Sequence, residues 1–352
     1  MRAWWCGGAV LLGAGLVGCE PAEDDDVATC DRDEWVLEAS LERPSTGFRS
    51  VALHGDTLVT GTIGQATLFR RVSGPVSSHL EAVGAAWIDD LRVTPDLPPP
   101  SSALVALDER HLAYAGRLYE RSERGLRDLG RGLTDDEVGA QIALDGDSVL
   151  SITEGLARVH PIHSGPTTWE PSIELGPGGS SLAARGGTAI FGRPSSAAAD
   201  VYVRTEGTWS LEATLTSSTD ASGFGVAVAA DGDRVLVVSE LEAELFIRGS
   251  TGWESEAVLS PGTGRVYQTD GGPSLGLSGG RAAVPFFVMD DDGLPRWEIV
   301  IFEQNEPFWV QSAILPLSES AYSPQVQLEG DRLVTADYEL GPEVYSFRRC
   351  VR

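Results

Sequence analysis

Apolar residues along this chain fall into short alternating runs, broken at close intervals by glycine and aspartate. That period of two belongs to half-buried strands joined by tight turns. The clearest runs share one design: Val51-Ala-Leu-His-Gly-Asp-Thr-Leu-Val59, Ile142-Ala-Leu-Asp-Gly-Asp-Ser-Val-Leu150, Val228-Ala-Ala-Asp-Gly-Asp-Arg-Val-Leu236 and Val326-Gln-Leu-Glu-Gly-Asp-Arg-Leu-Val334. Weaker copies occupy residues 182–190 and 275–283, and a degenerate one residues 105–113. Each reads as a hairpin whose Gly/Asp pair takes the positive φ of a two-residue turn. The aspartates are therefore turn formers first.

A third alternating strand follows most hairpins, at residues 66–70, 200–204, 244–248, 299–302 and 343–347. A fourth carries a tryptophan six residues before an apolar residue: Trp35 to Leu41, Trp87 to Val93, Trp169 to Leu175, Trp209 to Leu215, Trp253 to Leu259 and Trp309 to Leu315. Burying an indole removes roughly 150–250 Å² from water, so these six are assigned to the cores of the repeats rather than to ligand stacking. Four strands per unit, repeated seven times, predict an all-β, seven-bladed β-propeller of four-stranded antiparallel blades. The strand at Trp35 precedes the first hairpin, while the last unit stops after its third strand. The N-terminal strand is thus expected to complete the last blade and close the ring.

The chain holds four cysteines. Residues 1–18 combine Arg2 and an apolar stretch and run into Leu16-Val-Gly-Cys19, which resembles the bacterial lipobox. The resemblance implies cleavage before Cys19 and its lipidation, with Glu20 following and the outer membrane as the expected address. Residues 19–32 then form a lipidated, acidic tether, and residues 33–352 the propeller. The apolar run is shorter than the ~20 residues of a comfortable spanning helix. Cys6 lies in the leader, which leaves Cys30 and Cys350 flanking the two strands expected to meet. In an oxidising compartment they read as a disulfide closing a long loop, worth roughly 5–6 kcal/mol in the chain-entropy account. Two unrelated thiols are the alternative.

The formal charge is −26, and all 26 basic residues are arginine. A chain this acidic lacks the basic patch that phosphate neutralisation needs, so nucleic acid is excluded as an expected partner. Lysine is absent, which removes Schiff-base chemistry.

Gly223-Phe-Gly-Val-Ala-Val228 before a Gly-Asp turn, Gly47-Phe48 and Val138-Gly139 at the equivalent place, and Phe191-Gly-Arg-Pro194 after a second strand resemble the FG-GAP repeat of integrin α-chain propellers. The resemblance covers residues 35–348. It implies calcium-binding loops in which carboxylates alternate around a hard cation. The nearest match is Asp290-Asp-Asp-Gly293, where Asp290, Asp291 and Asp292 are the calcium candidates and a solvated turn is the alternative. No other cofactor is expected.

The histidines His54, His79, His111, His160 and His163 form no recognisable catalytic constellation, and strand alternation sets His160 and His163 on opposite faces. Residues 92–102, rich in proline, and 261–273, rich in glycine, are the long connections. The combined reading is a monomeric, non-catalytic binding scaffold for an envelope protein or carbohydrate, attached to the membrane through its lipid. An envelope assembly factor and a propeller hydrolase of glycosidase, sialidase or lactonase type are the alternatives. A central cluster of Arg, Glu and Tyr would favour the hydrolase.

Overall fold

Seven antiparallel sheets account for the strands of the protein, seen in a computed structural model that describes residues 33–41, 48–62, 65–72, 86–94, 104–114, 116–122, 125–131, 141–162, 172–260, 262, 265–266, 275–289, 295–317, 324–337 and 341–348. From channel to rim, blade 1 comprises Phe48–His54, Thr57–Thr62, Gln65–Val72 and Ala86–Val93. Blade 2 comprises Val105–Leu107, His111–Tyr114, Arg117–Ser122 and Gly125–Arg131, and blade 3 Gln141–Asp145, Ser148–Thr153, Leu156–Pro161 and Ile173–Pro177. Blade 4 is built from Ser181–Arg185, Thr188–Arg193, Ala198–Thr205 and Thr208–Thr216, and blade 5 from Ala227–Asp231, Arg234–Val238, Ala243–Gly249 and Gly252–Leu259. In blade 6, Arg281–Met289, Pro295–Asn305 and Phe308–Pro316 follow an inner edge shared by Gly276–Ser278 and the short Arg265–Val266. That extra strand lies within the glycine-rich connection read above as a loop.

Blade 7 takes Gln325–Glu329, Arg332–Asp337 and Gly341–Arg348 from the C-terminus and Glu34–Ser40 from the N-terminus. Glu34 pairs with Arg348, Leu37 with Tyr345 and Ala39 with Val344. Both chain ends thus build one sheet, and the ring closes as the displaced tryptophan strand predicted. Cys19, Cys30 and Cys350 lie outside the described residues, as do Asp290, Asp291 and Asp292.

Six of the seven inner hairpins turn on glycine, and none of the six on aspartate. Gly55, Gly146, Gly232 and Gly330 take φ between +57° and +65°, while Asp56, Asp147, Asp233 and Asp331 are absent from the non-glycine residues with positive φ. Glycine first and an ordinary residue second is the demand of a type II′ turn. Glycine-glycine pairs at Gly186-Gly187 and Gly279-Gly280 place both φ angles positive. The aspartates were expected to share that conformation; their Cβ makes it costly, and glycine supplies it.

Every outermost strand carries a β-bulge, seen as a register shift against its neighbour, at the same place in six blades and displaced by two residues of the facing strand in blade 3. The residue left over is Glu38, Asp90, Leu129, Leu175, Glu212, Glu256 and Ser312 in blades 7 and 1 to 6. A bulge re-aims a side chain, and three of these carboxylates meet a side chain of the next blade. Glu38 accepts from Arg71 Nε at 2.6 Å, Glu212 receives Arg248 and the Trp253 indole N–H (2.8 Å for the latter), and Glu256 accepts from Gln304 at 3.0 Å.

Four of the six tryptophans face the preceding blade. Trp209 is buried between blades 3 and 4 and donates to Ser148 Oγ at 3.1 Å. Trp35, Trp253 and Trp309 are half-buried against the clusters shared with the preceding blade. Trp87 lies on the outermost strand of blade 1, its side chain outside the described residues, and Trp169 lies outside them altogether.

Where Phe191-Gly192 and Gly223-Phe224-Gly225 meet, backbones touch. A Cβ on Gly192 would stand 2.1 Å from the Gly225 oxygen and 2.2 Å from Ser181 Oγ. Phe224, buried, packs edge-on to Phe246 with centroids 6.1 Å apart. The Phe-Gly pairs are therefore packing devices between blades.

Candidate functional site

Seven inner strands converge on the ring's axis, and their side chains alternate between the two neighbouring blades. Ala227 and Ala229 join the blade 5–6 core, whereas Val228 and Ala230 join the blade 4–5 core. Convergence demands small residues in the middle of each strand, and the sequence supplies Ala52, Ala106, Ala143, Ala183, Ala229 and Gly276. A Cβ on Gly276 would meet that of Leu328 at 2.4 Å. The seventh member of this row is Gln327, half-buried in the channel wall. The channel encloses about 540 Å³, lined by Val51–Leu53-type apolar residues, inner-strand backbone and the Gln327 amide.

The mouth at the hairpin face is charged. Five of the seven inner strands end there in a residue that accepts the turn N–H of the next blade. Asp145 receives Gly187 N–H at 2.9 Å, Asp231 receives Gly279 at 2.9 Å, Ser278 Oγ receives Gly330 at 3.0 Å and Glu329 receives Gly55 at 2.5 Å. Between blades 4 and 5 the Arg185 carbonyl takes that part, accepting Gly232 N–H at 3.3 Å. These bonds run from blade 3 round to blade 1 and hold the turns in register. The turn aspartates are engaged as well: Arg332 reaches Asp56 at 2.8 Å, Arg281 reaches Asp331 at 2.5 Å and Arg110 reaches Asp147 at 3.4 Å.

Arg185 spans the mouth. Its Nε stands 3.4 Å from Asp231 of the adjacent blade, and its Nη2 donates to Glu329 of blade 7 at 3.0 Å. His54 Nδ1 lies 3.4 Å from the same Glu329 oxygen. Arginine, two carboxylates and an imidazole thus meet over the opening, with no tyrosine among the described lining residues. Such a set can hold a small polar or charged group at the entrance, with the Gln327 amide below it.

Blade 2 differs in its turn. Asp108 Oδ1 accepts the N–H groups of Arg110 and His111 at 2.7 and 2.6 Å, with His111 Nδ1 at 3.5 Å. Burial raises the Asp108 carboxyl, but the hydrogen bonds from His111 and Arg110 outweigh it and hold the group below the ordinary carboxylate range. Burial also pulls Arg121, which donates to Thr57 of blade 1 at 2.7 Å, below the usual arginine value.

Elsewhere, His160 is buried and shares a hydrogen bond with Ser151 at 3.0 Å, and His163 lies outside the described residues. Among the described residues no group of three or more His, Cys, Asp and Glu side chains could hold a metal ion. No helix of the described residues is long and apolar enough to cross a membrane.

No family model matches the chain, and no curated protein matches it either. Solved structures do resemble it. A streptogramin B lyase is 9% identical over 90% of this chain and 98% of its own, with a TM-score of 0.55. A chain of the mitotic checkpoint complex is 12% identical over 96% and 98%, also at 0.55, and the computationally designed Ika8 protein is 13% identical over 88% and 99%, at 0.51. A lyase, a checkpoint component and a designed chain share the architecture about equally, so the likeness speaks for the propeller fold alone.

Proposed function

We propose that the chain is a lipid-anchored protein of the bacterial cell envelope, held at Cys19, whose FG-GAP-like propeller is a rigid scaffold that binds protein or carbohydrate. One observation carries this reading: fifteen residues beyond Cys19 the chain is already the outermost strand of blade 7, paired from Glu34 to Ser40. A pull on the anchor is borne by a closed ring, so the tether holds a rigid body. The far face is left to meet a partner. There the turn of blade 5 exposes Leu241, 62% accessible, between Glu240 and Glu242.

Metabolic palmitate labelling of the wild type and of Cys19→Ala tests the anchor, and equal labelling sinks it. Affinity capture from cross-linked envelopes, repeated with Leu241→Ser, tests the scaffold. We also place a disulfide between Cys30 and Cys350, which stand four residues before Glu34 and two after its partner Arg348. Alkylation followed by non-reducing mass analysis should find both thiols blocked from reaction.

A hydrolase is the second reading, favoured by the convergence of Arg185, Glu329, Asp231 and His54 on the channel mouth. A screen of glycans and esters tests it, and turnover abolished by Glu329→Gln would make it the first.

A further inference from the structure

Seven outermost strands form the rim, and six carry at least one charged residue; Phe308–Pro316 of blade 6 carries none. In a chain of net charge −26 this is an isolated neutral strip. Sheet edges are ordinarily blunted by charge, and a strip left unblunted has a surface to meet. At its start Phe308 is 69% accessible, the most exposed large apolar side chain among the described residues, with Val310 at 43% beside it and exposed Pro307 before it.

Its position is what names the occupant. Phe308 pairs with Asn305, and the adjacent Gln304 N–H bonds to Gly280 O in the inner turn, so Phe308 lies at the hairpin face. Glu34 pairs with Arg348, and Phe347 N–H bonds likewise to Asp331 O. The chain coming from Cys19 therefore enters blade 7 at the same face as, and one blade away from, the Phe308 corner. Fifteen residues reach at most ~50 Å when fully extended.

Resting on the anchor reading above, we propose that Phe308, with Pro307 and Val310, docks into the lipid surface that holds the anchor and turns the hairpin face toward it. Two or three apolar side chains bind a bilayer weakly alone. A short tether raises the effective concentration to about the millimolar range, so weak docking suffices. The acidic turns keep the remainder of that face from sinking further.

The test uses the full lipidated chain on vesicles of phosphatidylethanolamine with a minor fraction of phosphatidylglycerol, with hydrogen exchange followed on residues 305–311. Exchange there should slow by at least about tenfold relative to detergent solution, since burying Phe and Val is worth that or more. Phe308→Ser with Val310→Ser should float with the vesicles yet lose the slowing, and Leu211→Ser on the rim of blade 4 should keep it. An anchored wild type with unchanged exchange overturns the docking alone. Slowing that appears without vesicles and grows with protein concentration assigns the strip to a second copy and also overturns it. Failure of the wild type to float overturns the anchor and the docking together.

Discussion

Arg281 of blade 6 holds its guanidinium carbon 4.0 Å from the centre of the Phe347 ring in blade 7. The same group lies 5.8 Å from the Trp35 ring, so one side chain faces both the first and the last strand of the propeller. Its Nε bonds to Glu303 at 2.6 Å and its Nη1 to Asp331 at 2.5 Å, with 9% of the side chain accessible. The seam that closes the ring is thus fastened from the side of blade 6.

Arg281→Ala should destabilise the propeller by about 2–3 kcal/mol. Roughly 1 kcal/mol comes from lost stacking, and the remainder from carboxylates left without their partner. The loss stays below that of a fully buried pair because Asp331 is 61% accessible and can be rehydrated. Arg281→Lys should restore less than half, since an ammonium lacks the planar fork. Urea denaturation measures both, and an unshifted midpoint for Arg281→Ala would refute the role.

From the side of blade 1, the seam is fastened by Arg71 to Glu38, whose side chain is only 7% accessible. A double-mutant cycle on this pair should give a coupling of about 1–2 kcal/mol that changes little between low and high salt. The corresponding pair Arg248 and Glu212, at 40% and 29%, should couple by roughly 0.5–1 kcal/mol and weaken as salt is added. Equal salt dependence would show that burial does not distinguish them.

Periodicity reveals the propeller because strands and turns are local. The hairpins at Gly55, Gly146, Gly232 and Gly330, the weaker copies at residues 182–190, 275–283 and 105–113, and the early strand at Trp35 are together enough to count seven blades and to close them. Interblade chemistry is harder to see, since it joins residues far apart in the chain. Yet a signal was present: Trp35-Val-Leu-Glu-Ala, Trp209-Ser-Leu-Glu-Ala and Trp253-Glu-Ser-Glu-Ala each place a glutamate three residues after the indole. That glutamate is the bulge residue. The residues before the turn glycines, Asp145, Asp231, Ser278 and Glu329, were legible only as strand ends, because their partners belong to the following blade. Arg185 gave no sequence signal at all, as its span to Glu329 depends on the diameter of the ring.

Two glycines separate steric packing from backbone conformation. Gly192 takes an ordinary φ, but its missing Cβ leaves room for Gly225 and Ser181. Gly192→Ala should therefore cost about 3 kcal/mol, since a backbone oxygen cannot move aside as a flexible side chain would. Gly55 has open space around it and φ of +57°. Gly55→Ala should cost only the roughly 1–2 kcal/mol of a side chain forced to positive φ, and Gly55→Asn about the same. Thermal or chemical denaturation of the three variants ranks them, and the reverse order would contradict the close contact at Gly192.

Asp108 connects the blade 2 turn to pH. Its carboxyl is held below the ordinary carboxylate range despite burial, because His111 and the turn N–H groups favour the charged form. A group with a lowered folded pKa contributes its stability fully above the unfolded value of about 3.9, and loses it as the pH falls through the lower folded value. Asp108→Asn keeps an acceptor oxygen but not the charge. At pH 7 it should cost about 1 kcal/mol, the margin of a charge-assisted hydrogen bond over a neutral one. Below pH 4 the difference from wild type should shrink toward zero. Denaturation curves collected from pH 7 to pH 2 decide the matter, and a penalty constant across that range would mean that the loss is one of shape rather than of charge.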